Sequence, residues 1–218
     1  MSNLYKRIIT SLIVFPISIY FIIMGGSYIV SFLYAVLVLA NFEAFSVFKR
    51  KMSIIFLDTI LVLSLLSILF LRNDTAASFV LLIWLILLTI CSDIGGYIFG
   101  KFFKWKKFSK ISPKKTLSGV IGSFIFSILS VFLLNFIIQL TSGSDTNFFL
   151  KIKYFALALI FSFAAQIGDL TISYFKRLEK IKDTGKFLPG HGGIFDRIDS
   201  LMFVVILGYI IYNFKLFP

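Results

Sequence analysis

Charge is scarce in this chain: Asp, Glu, Lys and Arg make up 15% of its 218 residues, where a soluble domain carries about 25%. The shortfall is filled by apolar residues, 59% of the total, and mean hydropathy reaches +0.98. A soluble globular protein is thereby excluded, and an integral membrane protein is expected. Cysteine is nearly absent; with Cys91 alone, no internal disulfide can form, and the thiol packs as a small apolar group. Acids are the scarcer sign, 10 against 22 Lys and Arg, for a net charge of +12. In a soluble protein that excess would point to nucleic acid. Here membrane topology and attraction to anionic headgroups or a phosphorylated substrate account for it. There is no repeat, low-complexity tract or separate soluble domain, and no period-2 alternation of the kind a barrel needs. The apolar run Ile8 to Met24 follows Lys6-Arg7 as a signal peptide would. It lacks a small-residue cleavage site and runs through Gly25-Gly26-Ser27 into further apolar sequence, so an uncleaved first helix is expected.

What is present is a series of seven apolar runs, at about 7–24, 28–48, 54–71, 77–98, 117–140, 154–173 and 199–215. Each approaches the ~20 helical residues that span a bilayer core. Helix is the default in lipid, because backbone groups must satisfy one another locally. The predicted fold is therefore all-α, a polytopic bundle of about seven transmembrane helices. Residues 1–75 form the N-terminal helices and 76–218 a catalytic region with long loops at 99–116 and 174–198. With the N-terminus in the cytoplasm, 18 of the 22 Lys and Arg fall on the inner side; Arg72, Lys151, Lys153 and Lys215 fall outside. That asymmetry obeys the positive-inside rule and puts both long loops in the cytoplasm.

Half of the acids sit in apolar runs: Glu43, Asp58, Asp93, Asp169 and Asp199, all toward the inner ends. Such layering predicts a polar cavity open to the cytoplasm, since intramembrane acids are costly unless they serve a site. The stretch Ser173 to Ser200 concentrates six Lys and Arg, the single His and four of the 14 glycines. If the sixth helix continues to about Ile181, Gln166, Asp169, Ser173, Lys176 and Lys180 form one stripe. Asp169 and Lys176 then lie two turns, ~10 Å, apart, which suits a carboxylate-held cation and a more distant lysine along a polyphosphate. The plainer account of the lysines is that they snorkel to solvent.

Lys182-Asp183-Thr184-Gly185 reads as a turn, followed by Leu188-Pro189-Gly190-His191-Gly192-Gly193. Closely spaced glycines let backbone N–H groups approach a phosphate, although this is neither a Walker loop nor GxGxxG. His191 is read as a positioning contact. Asp196 is expected to cap the last helix with Asp199 three residues on. The sharper reading has both carboxylates joining Asp169 on a hard cation beside Arg197. The other long loop carries Ser92-Asp93, Gly95-Gly96, five lysines up to Lys110, and Ser112-Pro113-Lys114-Lys115-Thr116. The lysines to Lys110 read as a topology signal; Ser112, Lys114 and Lys115 could hold phosphates as mobile point charges.

Along nearly its whole length, SYFKRLEKIKDTGKFLPGHGGIFDRIDS resembles the signature of the phosphatidate cytidylyltransferases (CDP-diacylglycerol synthases), and SDIGGYIFGK and SPKKT resemble that family's second conserved region. The likeness covers about 91–201. It implies a nucleotidyltransferase of phospholipid biosynthesis in the bacterial inner membrane, its site facing the cytoplasm. CTP and phosphatidic acid would give CDP-diacylglycerol and pyrophosphate, with Mg²⁺ as cofactor and room for a second cation. A homodimer is implied, and nucleic acid is not. By resemblance Asp169 and Asp196 are metal ligands supported by Asp199 and Asp183, while Ser173, Lys176 and Arg177 line the phosphate site. Gly192, Gly193, His191, Arg197, Ser112, Lys114 and Lys115 are substrate contacts. The chain departs from the family pattern at Ser118, where an acid usually precedes the glycine.

The chemistry is coherent on the residues alone. A phosphate monoester is already anionic near neutral pH, so positioning and charge neutralisation matter more than a strong base. Two rivals remain. A transporter would use acids near the midplane, broken helices and inverted repeats, whereas these acids lie toward one face. An inactive lipid-binding relative would not need the carboxylates.

Overall fold

Seven helices form along the seven apolar runs. They are α1 (Asn3–Met24), α2 (Gly26–Val47), α3 (Lys51–Asn73), α4 (Ala76–Phe103), α5 (Leu117–Ser142), α6 (Ile152–Leu178) and α7 (Phe195–Asn213). The computed structural model describes residues 3–107, 109, 112, 115–142, 149–185, 187 and 192–217. Among these there is no strand; Lys107 and Thr116 form an isolated bridge. Helices α2 to α6 are long and apolar enough to cross a membrane. Helix α7 has 19 residues and carries Asp196, Arg197 and Asp199 in its first turns. The protein is an integral membrane helix bundle.

Two apolar cores hold the bundle. One centres on Trp84 of α4, which meets Tyr154 and Phe161 of α6 edge-on and donates its indole N–H to Ser130 of α5 at 3.1 Å. The other joins Ile29, Leu33 and Ala40 of α2 and Leu57 and Leu61 of α3 to Ile172 of α6 and Phe195 and Met202 of α7. Helices α4 and α5 are the most intimately packed pair. A Cβ built on Gly119 would come within 2.9 Å of the Gly96 carbonyl, and one on Gly95 would collide with the Gly122 carbonyl. Small residues three or four apart let two helix backbones touch in this way. Ser92 to Gly96, read both within the fourth apolar run and with the long loop, lie inside α4, and their glycines serve packing.

Ends are fixed by specific bonds. Thr75 and Ser78 form a reciprocal capping box at α4. The Arg72 side chain donates to the carbonyls of Ile22 and Ile23, the latter at 2.6 Å, placing a cation at the α1 C-terminus. Helix α6 stops at Leu178, short of the expected Ile181, because Lys180 takes a left-handed conformation (φ 58°). Lys180 thus leaves the stripe. The next residue after α6, Glu179, accepts from the backbone N–H groups of Arg50 (3.0 Å) and Lys49 (3.3 Å) and from the Ser53 hydroxyl (3.2 Å). Desolvation works against its charge, but these donors, Arg50 and Lys49 first, outweigh it and hold the Glu179 carboxyl below its ordinary value.

Candidate active site

Four residues of the predicted α6 stripe keep their places, and the chemistry gathers around them. Asp169 accepts from Ser173 Oγ at 3.2 Å through one oxygen and pairs with Lys115 Nζ at 2.5 Å through the other. Lys115 reaches it from the other long loop. The bridge at Lys107 and Thr116, with Leu117 N–H donating to the Lys106 carbonyl at 3.0 Å, closes that loop. Thr116 then caps α5, its hydroxyl accepting from Gly119 N–H at 3.1 Å. Ser118, in the first turn, bonds Thr116 Oγ1 at 3.0 Å.

Between α4, α5, α6 and α7 lies a cavity of about 280 Å³. Asp93, Ser92 and Tyr97 line it from α4, Ser112, Lys115 and Thr116 from the loop, and Gly119 and Ser123 from α5. Gln166 and Asp169 of α6 and Ser200 of α7 complete the wall. The Gln166 amide nitrogen is buried and has no hydrogen-bond partner among the described residues. A buried donor left unpaired costs free energy, so this one is available to an acceptor on a bound ligand. Asp169 lies within electrostatic reach of both Asp93 and Asp199. Negative charge is thereby concentrated around Asp169.

The second half of the site is the connection from α6 to α7. Asp196 Oδ1 binds Lys176 Nζ at 2.7 Å, a pair with side chains only 7% and 11% exposed. Its Oδ2 accepts from Thr184 N–H (2.8 Å) and Gly193 N–H (3.0 Å). Ile194 takes the N-cap position, so Asp196 acts from the first turn of α7 and is not the cap expected from sequence. Gly192 has φ 89°, and a Cβ there would come within 2.7 Å of Asp196 Oδ2. Glu43, buried in α2, binds the same connection from the opposite side. Its Oε1 accepts from the Thr184 hydroxyl at 2.5 Å and its Oε2 from Ile194 N–H at 2.9 Å. The Thr184 hydroxyl also lies 3.1 Å from Asp196; with one proton to give, it serves the nearer carboxylate.

The remaining expected residues are more dispersed. Asp199 accepts from Ser200 N–H at 2.8 Å. Arg177 is exposed and donates to the Ile181 carbonyl at 3.1 Å; it does not line the cavity. Asp183 is exposed and lines a separate recess with Glu43 and Gly185. Arg197 lines an apolar crevice on another face of α7 and lies within electrostatic reach of Asp93. Lys114 and His191 lie outside the described residues. Sequence reading passed over three groups: Asp93 and Glu43, noted only as acids in the inner layer, and Gln166, noted only on the stripe.

The donor set suits a hard cation of a particular kind. Among the described residues, no three His, Cys, Asp or Glu side chains are grouped so as to hold a metal ion. Magnesium usually takes one or two carboxylates and completes its shell with water and substrate phosphates. Asp169 lines the cavity and could offer such a cation an oxygen by exchanging Lys115 or Ser173. Asp196 could join only by exchanging Lys176 or a backbone donor.

This geometry coincides with a sequence match. The model of the cytidylyltransferase family matches residues 49–215. A phosphatidate cytidylyltransferase of Rickettsia conorii is 41% identical over 133 residues, covering 57% of this chain and 56% of the relative. Proteins of the same name from Helicobacter pylori (strain J99) and Staphylococcus haemolyticus are each 40% identical, over 129 and 126 residues. Each match covers 57% of this chain and 44% of the relative. The chain spans about half the length of the curated relatives it matches. With Asp93, Asp169, Lys176 and Asp196 all inside a match that takes in most of its length, the chain belongs to the cytidylyltransferase family.

Proposed function

We propose that the chain is a CTP:phosphatidate cytidylyltransferase working at the inner headgroup level of a bacterial plasma membrane. The observation that carries this reading is the Asp169–Lys115 pair across a polar cavity sunk into an otherwise apolar bundle. An acid and a lysine facing one another there offer a seat for a cation and for a phosphate it neutralises. The relatives' name supplies the substrates.

In the reaction, an oxygen of the phosphatidate monoester attacks the α-phosphorus of CTP. The bond from that phosphorus to the bridging oxygen breaks, and pyrophosphate leaves. The nucleophile is already anionic, so the side chains bind and orient rather than remove a proton. Lys115 and Lys176 draw phosphate charge, Ser173 fixes the Asp169 carboxylate, and the Gln166 amide donates to a phosphate or base oxygen. Asp169, aided by Asp93, Asp199 or a released Asp196, would hold Mg²⁺, whose contribution is neutralisation of the triphosphate. A cytoplasmic N-terminus and a cytoplasm-facing site follow from the basic loops.

The test is purified protein given Mg²⁺, CTP and phosphatidic acid. CDP-diacylglycerol should form, and Asp169→Asn should lower turnover at least 100-fold with expression unchanged. No product across several phosphatidic acids and divalent ions would overturn the reading; full activity in Asp169→Asn would overturn the role given to this carboxylate.

A further inference from the structure

A second cavity, of about 330 Å³, lies between α1, α2, α3 and α7. Its walls are almost entirely apolar, formed by residues such as Ile17, Leu33, Leu65, Ile198 and Leu201. Arg197 is the one ionisable side chain among its described lining residues. The start of α7 is the partition between this crevice and the polar cavity. Ile194, Arg197, Ile198 and Leu201 recur at helical spacing on the crevice side, while Ser200 looks into the polar cavity. Arg197 also lies within electrostatic reach of Asp93, which lines the polar cavity.

We propose that the crevice receives one acyl chain of a diacyl phosphate lipid, with Arg197 against the lipid phosphate. The proposal rests on the phosphatidate reading above and names where that substrate's apolar part lies. An occupant with a long apolar tail and an anionic end matches both the walls and the Arg197 guanidinium at their edge. A helix is about 10 Å across with its side chains and is too bulky for 330 Å³. A zwitterionic lipid would gain less from Arg197. A phosphatidate astride α7 would bring its phosphate to the polar cavity while its chain stays on the bilayer side.

Two arms test this. In the first, Leu33→Trp and Ser64→Trp fill the crevice from α2 and α3, away from the reacting groups. The KM for dioleoyl phosphatidate should rise at least tenfold, and kcat/KM for dibutyryl phosphatidate, whose chains are too short to enter, should stay within twofold. An equal change for both lipids, or none for either, counts against the crevice. In the second arm, the wild-type protein sits in phosphatidylcholine nanodiscs with a phosphatidate carrying a diazirine near the end of one acyl chain. Labelling should concentrate on crevice residues, be competed by unlabelled phosphatidate but not by added phosphatidylcholine, and lose that preference in Arg197→Gln. Labels scattered over all lipid-facing helices, or equal competition by both lipids, would mean ordinary boundary lipid and overturn the proposal. The labelling arm needs no turnover. A protein that labels selectively but makes no CDP-diacylglycerol would sink the enzymatic reading while sustaining the crevice.

Discussion

Removing the buried carboxylate of Glu43 should loosen the connection between α6 and α7 without touching a reacting group. In Glu43→Leu, Ile194 N–H loses the carboxylate oxygen it donates to, while the Thr184 hydroxyl can fall back on Asp196. A buried donor left unpaired costs about 1–3 kcal/mol, and a hydrogen bond to a charged group is worth roughly 1.5–3 kcal/mol. Taking about 3 kcal/mol as the combined loss, the open form of the connection should gain ~100-fold in population. Glu43→Gln should behave differently. Its amide oxygen can accept from Ile194, and its NH₂ can donate to Thr184 Oγ1, which then turns its proton to Asp196. All bonds survive, but the ionic component is lost, about 1 kcal/mol or a factor of ~5. Hydrogen exchange on the 182–195 peptide in nanodiscs reads both values, and the KM for CTP should rise in the same order. Leucine exchanging no faster than wild type would refute the reasoning. So would glutamine matching leucine, since the two differ in acceptors retained.

Other substitutions probe neighbouring contacts. Gly193→Ala would drive a Cβ into Glu43 Oε1 and Thr184 Oγ1; its exchange profile should match that of Glu43→Leu, and wild-type exchange would show that the clash is relieved elsewhere. Lys176→Met leaves Asp196 buried without its cation and should destabilise the protein by about 3–5 kcal/mol, read as a lower midpoint of unfolding in detergent. Adding Asp196→Asn should restore part of that loss; a double variant as unstable as the sum of the singles would refute the pairing. Glu179 binds the α2–α3 turn as a carboxylate and has a folded-state pKa below its ordinary value of 4.5. Its stabilisation is complete above that ordinary value and fades as pH falls through the lowered one. Wild type should therefore lose stability below about pH 4.5 more steeply than Glu179→Gln, and identical acid limbs in the two unfolding curves would exclude it.

The seven helices were legible because a membrane leaves apolar runs few other conformations. Asp169 was legible for the same reason: a carboxylate inside an apolar run must have a partner. What escaped reading depended on groups far apart in sequence. Glu43 looked like one more acid near a helix end, and nothing local shows that Thr184 and Ile194, 141 and 151 residues on, would close upon it. Gly95-Gly96 sit at the end of the fourth apolar run, where paired glycines also suggest a break; only the arrival of Gly119 and Gly122 makes them a helix contact. The early stop of α6 hangs on a left-handed Lys180, a conformation for which a lysine gives no warning. The α6 stripe survived from Gln166 to Lys176 because its spacing is intrinsic to the helix.

The glycine contact between α4 and α5 has a mechanical side. Where the Gly95 and Gly122 backbones touch, neither helix can slide or tilt toward the other without collision. The pair behaves as a single girder. Asp93 and the base of Lys115's loop are fixed to that girder, while Asp169, Lys176 and Asp196 belong to the opposing jaw. Any widening of the cavity must therefore move the α4–α5 pair as one body against α6 and α7.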